Sequence, residues 1–334
     1  MPSPSPILTG IQSTGTPHLG NLLGAMLPTI HLAHTHPQNQ IFCFIADLHA
    51  LTTIKDPEKR KTYIYTIAAA WLALGLDKQP NALLCRQSHI PAVTELAWYL
   101  SCLTPYARLT NAHAFKDKTQ QGLPVSGGLF TYPILMAADV LLYQAGQVPV
   151  GKDQLQHLEL TRDVAQTFNQ QYGNTFVIPE AYIHRDVPTV LGIDGRKMSK
   201  SYQNTIDVFL PEAQLYQDIM RIQTDSTPLA APKDPETCTV FALYRLVADA
   251  HQVEAMRAQY LAGGYGYAAA KKTLAAAILE RFASARERFA NYMSDFPALE
   301  QRLLEGEEKA RAVATETLQD VRTKLGYERA LRSG

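Results

Sequence analysis

This chain has few cysteines, no excess of charge of either sign and no long apolar run. Its four cysteines in 334 residues are Cys43, Cys85, Cys102 and Cys238, and none forms a C-x-x-C pair. That spacing excludes a zinc knuckle. The strand- or helix-like sequence around them points to reduced, packed thiols rather than a disulfide framework. Thirty-one Lys and Arg balance 31 Asp and Glu, and charged residues make up only 19%. Ordinary soluble domains carry about 25%. This excludes a disordered polyelectrolyte and a protein that works through a global basic field. A nucleic-acid partner would have to be held by local patches and shape. The longest apolar-rich stretch, Ile67 to Leu76, falls well short of the roughly 20 residues a membrane span needs. Met1 to Pro6 shows neither a basic n-region nor an apolar h-region, so no secretory signal is visible. The expectation is a cytoplasmic protein with no membrane attachment.

The chain does have enough apolar residues (46%) and length for a substantial core without metals or disulfides, and for about two domains at roughly 150 residues each. The first half alternates strand and helix patterns. Pro6 to Ile11 reads as a short buried strand, followed by a Gly/Thr/Pro loop and a helix from about Asn21 to His34. Ile41 to Ala46 is a continuous apolar run, like a central parallel strand. Pro57 sits in the first turn of a helix that runs to Gly75. Ala82 to Cys85 and Val148 to Val150 are further strands, the latter feeding a helix from about Gln154 to Asn169. This is the grammar of an α/β fold, a Rossmann-type doubly wound parallel sheet, over residues 1–205. Ligands of such sheets sit at the carboxyl ends of the strands, here the loops after Ile11, Ala46 and Val150. Beyond about Asp207 helical periodicity takes over: Leu274, Ile278, Phe282, Phe289 and Met293 share one face, and Val313, Leu318, Val321 and Leu325 do much the same. Residues 206–334 are expected to form an all-helical domain, with Thr224 to Glu236 as a Pro-rich irregular link.

Two segments carry chemistry. Gly10-Ile-Gln12-Ser13-Thr14-Gly15-Thr-Pro-His18-Leu-Gly20-Asn21 leaves a strand and opens a helix. Its small residues allow close approach of a ligand, and a helix N-terminus offers unpaired N–H groups to an anion. Neither a Walker loop nor a G-x-G-x-x-G is present. Taken alone, this is equally a strand-to-helix turn with a capping residue. The second segment is Gly192-Ile-Asp-Gly195-Arg-Lys197-Met198-Ser199-Lys200-Ser201. A mobile loop with two lysines can close over a polyphosphate and neutralise charge that builds in a transition state. Taken alone, it is also a solvated basic loop.

Together they resemble the two signature motifs of class I aminoacyl-tRNA synthetases. His18-Leu-Gly20-Asn21 matches the HIGH-type motif with Asn last, and Lys197 to Ser201 spells KMSKS. Their placement suits the small dimeric tyrosine/tryptophan branch. Thr131-Tyr-Pro-Ile-Leu-Met136-Ala-Ala-Asp139-Val-Leu-Leu-Tyr143 looks like the tryptophan-site helix of the bacterial tryptophanyl-tRNA synthetases. Val148-Pro-Val150-Gly151-Lys152-Asp153-Gln154 and the C-terminal Glu305-Gly-Glu-Glu-Lys309-Ala resemble further blocks of that family, so the likeness covers essentially the whole chain. Departures are Ser13-Thr14 for the usual Pro-Ser, Asn111-Ala-His-Ala-Phe115-Lys116 for Arg-Met-Thr-Gln-Phe-Lys, and a shortened approach at Gly192–Gly195.

The resemblance implies activation of L-tryptophan by ATP and transfer to tRNA(Trp), in a homodimer whose helical half reads the anticodon and whose last helix packs back on the catalytic half. It assigns Gln12, Ser13, Thr14, Gly20, Asn21, Gly151, Lys152, Asp153 and the backbone near Val190 to ATP. Lys197, Met198, Ser199, Lys200 and Ser201 join them on the phosphate side. His18, Lys197, Lys200 and Lys116 are the expected catalytic groups. Asp139, Met136, His49, Gln154, Val148 and Val150 are placed around tryptophan. Mg²⁺ is expected to ride on the phosphate oxygens of ATP, with no metal held by the protein. His31, His34 and His36 have no carboxylate or Cys at matching spacing. Asp153, with Gln156 three residues on, also fits a capping box, and Met136, Val148 and Val150 also fit plain core. The rivals are a tyrosine-specific relative, a nucleotidyltransferase sharing the HIGH-like loop, and a non-catalytic paralogue that binds tRNA or tryptophan.

Overall fold

The computed structural model describes residues 5–111, 115, 125–151, 154–182 and 189–327. Strand β1 (Ile7–Ile11) leads into a helical stretch built of α1 (Leu19–Asn21), a π-helical segment (Leu22–Met26) and α2 (Leu27–Thr35). Strand β2 (Ile41–Ile45), α3 (Asp47–Ala50), α4 (Pro57–Ala73), β3 (Ala82–Arg86), α5 (Ala92–Leu103) and α6 (Tyr106–Thr110) follow. Then come α7 (Gly127–Leu142), β4 (Gln147–Pro149), α8 (Leu155–Tyr172) and β5 (Glu180–Tyr182). The remainder is helical: α9 (Glu212–Met220), α10 (Thr239–Val247), α11 (Ala250–Ala262), α12 (Tyr267–Arg281), α13 (Ala283–Ser294) and α14 (Phe296–Lys324).

The five strands form one sheet in the order β3-β2-β1-β4-β5, and every pairing is parallel. The period-2 pleat explains why these strands read as unbroken apolar runs. Ile7, Ile11, Ile41, Cys43, Ile45 and Leu84 face one buried layer. Leu8, Phe42, Phe44, Leu83 and Cys85 face the other. The chain winds outward from β1 to β3, then returns to the opposite side of β1 for β4 and β5. Strand order therefore reverses between β1 and β4, and the loops after these two strands flank the switch point.

Local signals act where they stand in sequence. The Asp56 carboxylate accepts from the N–H groups of Glu58 and Lys59 at 2.9 and 3.1 Å and starts α4 with Pro57 in its first turn. At α8 the cap residue is Gln154, which makes no side-chain capping bond. Asp153, the residue read as a capping candidate, lies outside the described residues, as do Lys116 and Lys152. Val148 is 4% exposed and shares a buried layer with Leu8, Phe42 and Tyr143.

The helical half packs against the sheet layers: its earlier helices join one buried layer, and its last helix adds Leu299 and Leu303 to that layer and Ala310, Ala314, Leu318 and Val321 to the other. Leu274, Ile278 and Phe282 share a buried layer with Ile41 and Ile45. Their apolar face continues past a break at Phe282, where α12 gives way to α13, and Phe289 stacks on Phe209 at 4.1 Å. Helix α14 lies against β3. A Cβ on Gly306 would stand 2.0 Å from the Leu84 carbonyl oxygen, so only glycine permits this approach. Among the described residues no helix is long and apolar enough to cross a membrane.

Candidate functional site

At the carboxyl end of β1 the chain turns through Gln12 to Pro17 and enters α1. His18 is the N-cap, and its capping is reciprocal: His18 Nδ1 accepts from Asn21 N–H at 3.3 Å, and Asn21 Oδ1 accepts from His18 N–H at 3.1 Å. Burial, aided by the positive charge of Lys200, pulls the imidazole down to about 4. His18 is therefore neutral near pH 7, as an Nδ1 acceptor requires. Gln12 is exposed and Thr14 is half-buried. Ser13 is 0% exposed, and its Oγ has no hydrogen-bond partner among the described residues. A buried hydroxyl without a partner costs free energy, and here it sits within the loop that leads to the helix N-terminus.

The lysine loop closes onto this turn. Lys200 Nζ donates to the Gly15 carbonyl at 2.9 Å, and the Gly20 N–H points at Met198 Sδ, 3.4 Å away. Burial lowers the Lys200 ammonium to about 8, against the opposing charge of Asp207. Burial likewise raises Asp207 to about 6. Lys197 and Ser201 are exposed, and Ser199 Oγ accepts from Ser201 N–H at 3.3 Å. The Val190 carbonyl accepts from Met198 N–H at 2.9 Å, and Leu191 bridges to Lys197, so the loop is a short hairpin.

Asn204, which sequence reasoning did not single out, ties that hairpin together. Its Oδ1 accepts from Ser199 N–H at 2.7 Å, and its Nδ2 donates to Asp194 Oδ1 at 2.7 Å and to the Lys197 carbonyl at 3.1 Å. The Asn204 hydrogen bond, ahead of Arg196, pulls the Asp194 carboxyl down to about 2. Asn204 is 1% exposed, and a Cβ on Gly192 would meet its Cγ at 2.3 Å. An Asn just past a polar loop is a general turn signal, and that signal could have drawn attention to it.

A second cluster forms on α7. Tyr132, Met136 and Asp139 follow i, i+4, i+7 spacing and so share one helix face. Asp139 is 1% exposed. Gln87 Nε2 donates to both of its carboxylate oxygens, at 2.9 and 2.8 Å, and His49 Nε2 lies 3.1 Å from Oδ2. Burial raises the Asp139 carboxyl above its ordinary range, while His49 and Gln87 act against that rise. Tyr132 meets His49 edge-on at 6.2 Å, and its hydroxyl lies 2.6 Å from His157 Nε2. Burial pushes the Tyr132 phenol up to about 12. Gln87, Tyr132 and His157 are partners found by folding. Gln87 comes from the loop after β3 and meets Asp139 only across the sheet end.

Of the other residues expected at the site, Val150 packs half-buried near the carboxyl end of β4, and its N–H donates to the Tyr182 carbonyl at 3.4 Å. Gly151 is exposed, and its carbonyl accepts from Gln154 N–H at 3.0 Å. Among the described residues no group of three or more His, Cys, Asp or Glu side chains could hold a metal ion.

The family described as tRNA synthetases class I (W and Y) matches residues 2–283. The tryptophan–tRNA ligase of Rhodopirellula baltica is 46% identical over 320 residues, covering 96% of this chain and 99% of that protein. The chain belongs to the tryptophan–tRNA ligases of the class I tRNA synthetases. A crystal structure of the Campylobacter jejuni tryptophanyl-tRNA synthetase, complexed with ADP and tryptophan, agrees with a TM-score of 0.90. Its identity is 42%, and the match covers 96% of this chain and 99% of that one. The tyrosyl-tRNA synthetase of Archaeoglobus fulgidus shares the fold, with a TM-score of 0.63 at 18% identity.

Proposed function

We propose that the chain activates L-tryptophan with ATP and passes it to tRNA(Trp), releasing diphosphate and then AMP. The observation that carries this reading is the closure of the lysine loop on the turn after β1, with Lys200 against Gly15. The tryptophan carboxylate is the nucleophile and attacks the α-phosphorus of ATP. The bond to the β-phosphate oxygen breaks, and diphosphate leaves with its electron pair. The acyl group of the adenylate then moves to the terminal ribose of the tRNA. Because the substrate brings its own nucleophile, the protein supplies position and charge.

In this reading Gln12, Ser13, Thr14, Gly20 and Asn21 hold the nucleotide, and the buried Ser13 Oγ gains a partner from it. Lys197 and Lys200 stabilise the departing diphosphate, with Met198, Ser199 and Ser201 shaping the loop. The Val190 backbone and Gly151 lie on the nucleotide side, together with Lys152, Asp153 and Lys116. Asp139 accepts from the indole N–H, with Met136, His49, Gln154, Val148 and Val150 lining the wall. Mg²⁺ arrives with ATP. The turn after β1 and the Lys197–Ser201 segment carry hydroxyl, amide and ammonium groups but no carboxylate. That donor set suits phosphate oxygens better than a resident cation.

The proposal includes a catalytic unit over residues 1–205, a helical anticodon-reading unit over 206–334, a homodimer and a cytoplasmic location. Amino-acid-dependent ATP–diphosphate exchange across the twenty amino acids tests it. Exchange with tryptophan is expected. Exchange with tyrosine alone, or with none, overturns the reading.

A further inference from the structure

One carboxylate of the last helix reaches to within a residue of the amino-acid site. Glu307, on α14, is 0% exposed. Its Oε1 accepts from the Arg86 main-chain N–H at 3.3 Å and from Arg86 Nε at 2.5 Å. Its Oε2 accepts from Arg86 Nη2 at 3.1 Å and lies 2.9 Å from His89 Nδ1. Glu307 therefore grips both sides of the short 3-10 turn Gln87–His89. The grip spans 221 residues of sequence.

The other side of that turn holds two buried carboxylates. Gln87 donates to both oxygens of Asp139. Its own Oε1 accepts from the N–H groups of Leu48 and His49 at 3.1 and 3.4 Å. Ser88 donates to Asp47 from its N–H at 2.9 Å and also from its hydroxyl. Arg86 makes a further two-pronged pair with Glu300, at 2.8 Å for each bond, and Tyr65 donates to Glu300 at 2.8 Å. Gly306 is what lets the helix come this close to β3.

We propose that Glu307 is a positioning residue for amino-acid recognition. By clamping Arg86 and His89 it sets where Gln87 presents its amide, and so which way the Asp139 carboxylate faces the bound side chain. A carboxylate can rotate about its last bond, and a donor shared by both oxygens fixes its plane. Charge-assisted hydrogen bonds depend strongly on such direction, and supporting residues decide whether a site holds its productive geometry. The proposal rests on the reading of the chain as a tryptophan-activating enzyme.

The test is ATP–diphosphate exchange on the full chain, comparing wild type with Glu307→Gln, Gln87→Ala and the double variant. Glu307→Gln keeps the volume and one acceptor oxygen but removes the second charged contact. Expected is a rise of about ten-fold in KM for tryptophan, a narrowed margin over phenylalanine and an ATP KM within about two-fold of wild type. Gln87→Ala is expected to show the same pattern, and the double variant to lose little more than Gln87→Ala alone, since the two act in series. A purely structural brace would lower Tm while leaving both KM values in place, and that result overturns the proposal. Additive effects in the double variant overturn it too. If Glu307→Gln does not fold, His89→Ala replaces it, because the His89 side chain is 40% exposed. A tryptophan-specific KM rise supports the proposal and no change overturns it. Wild type that exchanges normally while the variants match it overturns this inference alone. Wild type that fails with tryptophan overturns the functional reading and this inference together.

Discussion

Lys200 reaches across 185 residues of sequence to place its ammonium 2.9 Å from the carbonyl oxygen of Gly15. The contact joins the two loops on which the proposed chemistry depends. In the proposed reading it also holds the lysine where negative charge builds on a leaving diphosphate. Free of substrate, the ammonium is satisfied by a neutral carbonyl. That partner is weaker than a phosphate oxygen, so exchanging one for the other is favourable.

Replacing Lys197 or Lys200 by Ala is expected to slow adenylate formation by about 10²–10³-fold, the usual loss for one preorganised donor. Tryptophan affinity should change little. Single-turnover adenylate formation, measured beside tryptophan binding, separates the two. Weakened tryptophan binding with an unchanged activation rate would remove these lysines from the diphosphate.

The lowered ammonium of Lys200, at about 8, gives activity and stability opposite pH trends. The working form is protonated, so kcat/KM for ATP should fall as pH rises through about 8. Lys200→Arg stays charged and should move that limb upward. For stability, the folded group loses its proton near 8 and the unfolded group near 10.4. Between those values the unfolded state binds more protons, so this group's contribution to stability rises with pH. Urea melts at pH 7.5 and 9.5, on wild type and Lys200→Met, check that sign. An alkaline limb that survives in Lys200→Arg would assign it to another group.

Loop order should depend on Asn204 as much as on the lysines. Asn204→Ala removes the acceptor for Ser199 N–H and the donor to Asp194 and Lys197. Gly192→Ala drives a methyl into the Asn204 amide. Both are expected to slow activation by about ten-fold or more, with tryptophan affinity preserved, as fits loss of a supporting shell. Exchange kinetics at saturating tryptophan measure the effect. Wild-type rates in both variants would mean the loop is ordered by substrate alone.

What could be read from the sequence was set by how local each signal is. Strand β2 was legible because five consecutive side chains are buried on two faces, which leaves an unbroken apolar run. Helix α4 was legible from Asp56-Pro57 at its start. Strand β5, Glu180–Tyr182, was not read, since it is three residues long, sits at the sheet edge and carries no buried side chain. The same division runs through the site. Lys197 to Ser201 is a contiguous motif and stood out at once. Gln87 and the Arg86–Glu307 pair act through partners that only the fold brings near, and nothing next to them in sequence marks them, whereas Asn204 acts on the loop just before it and carries only a general turn signal.

Specificity is expected to turn on Asp139. Indole carries one polar atom, and it only donates. A buried acceptor is therefore needed, and Asp139 is 1% exposed with its carboxylate held by Gln87 and His49. These two partners favour the ionised form in a place where burial works against it. Phenylalanine would leave the acceptor without its ligand bond, and sites built on such a bond reject analogues lacking it by about 10⁴–10⁵-fold. Asp139→Ala should therefore cut kcat/KM for tryptophan sharply and narrow its margin over phenylalanine, while ATP binding stays near wild type. Asp139→Asn keeps an acceptor oxygen but loses the charge, and should fall between the two. Exchange kinetics with both amino acids on all three proteins give the comparison. If Asp139→Ala keeps its preference for tryptophan, the indole is read elsewhere and the Gln87–Asp139–His49 cluster is a packing device.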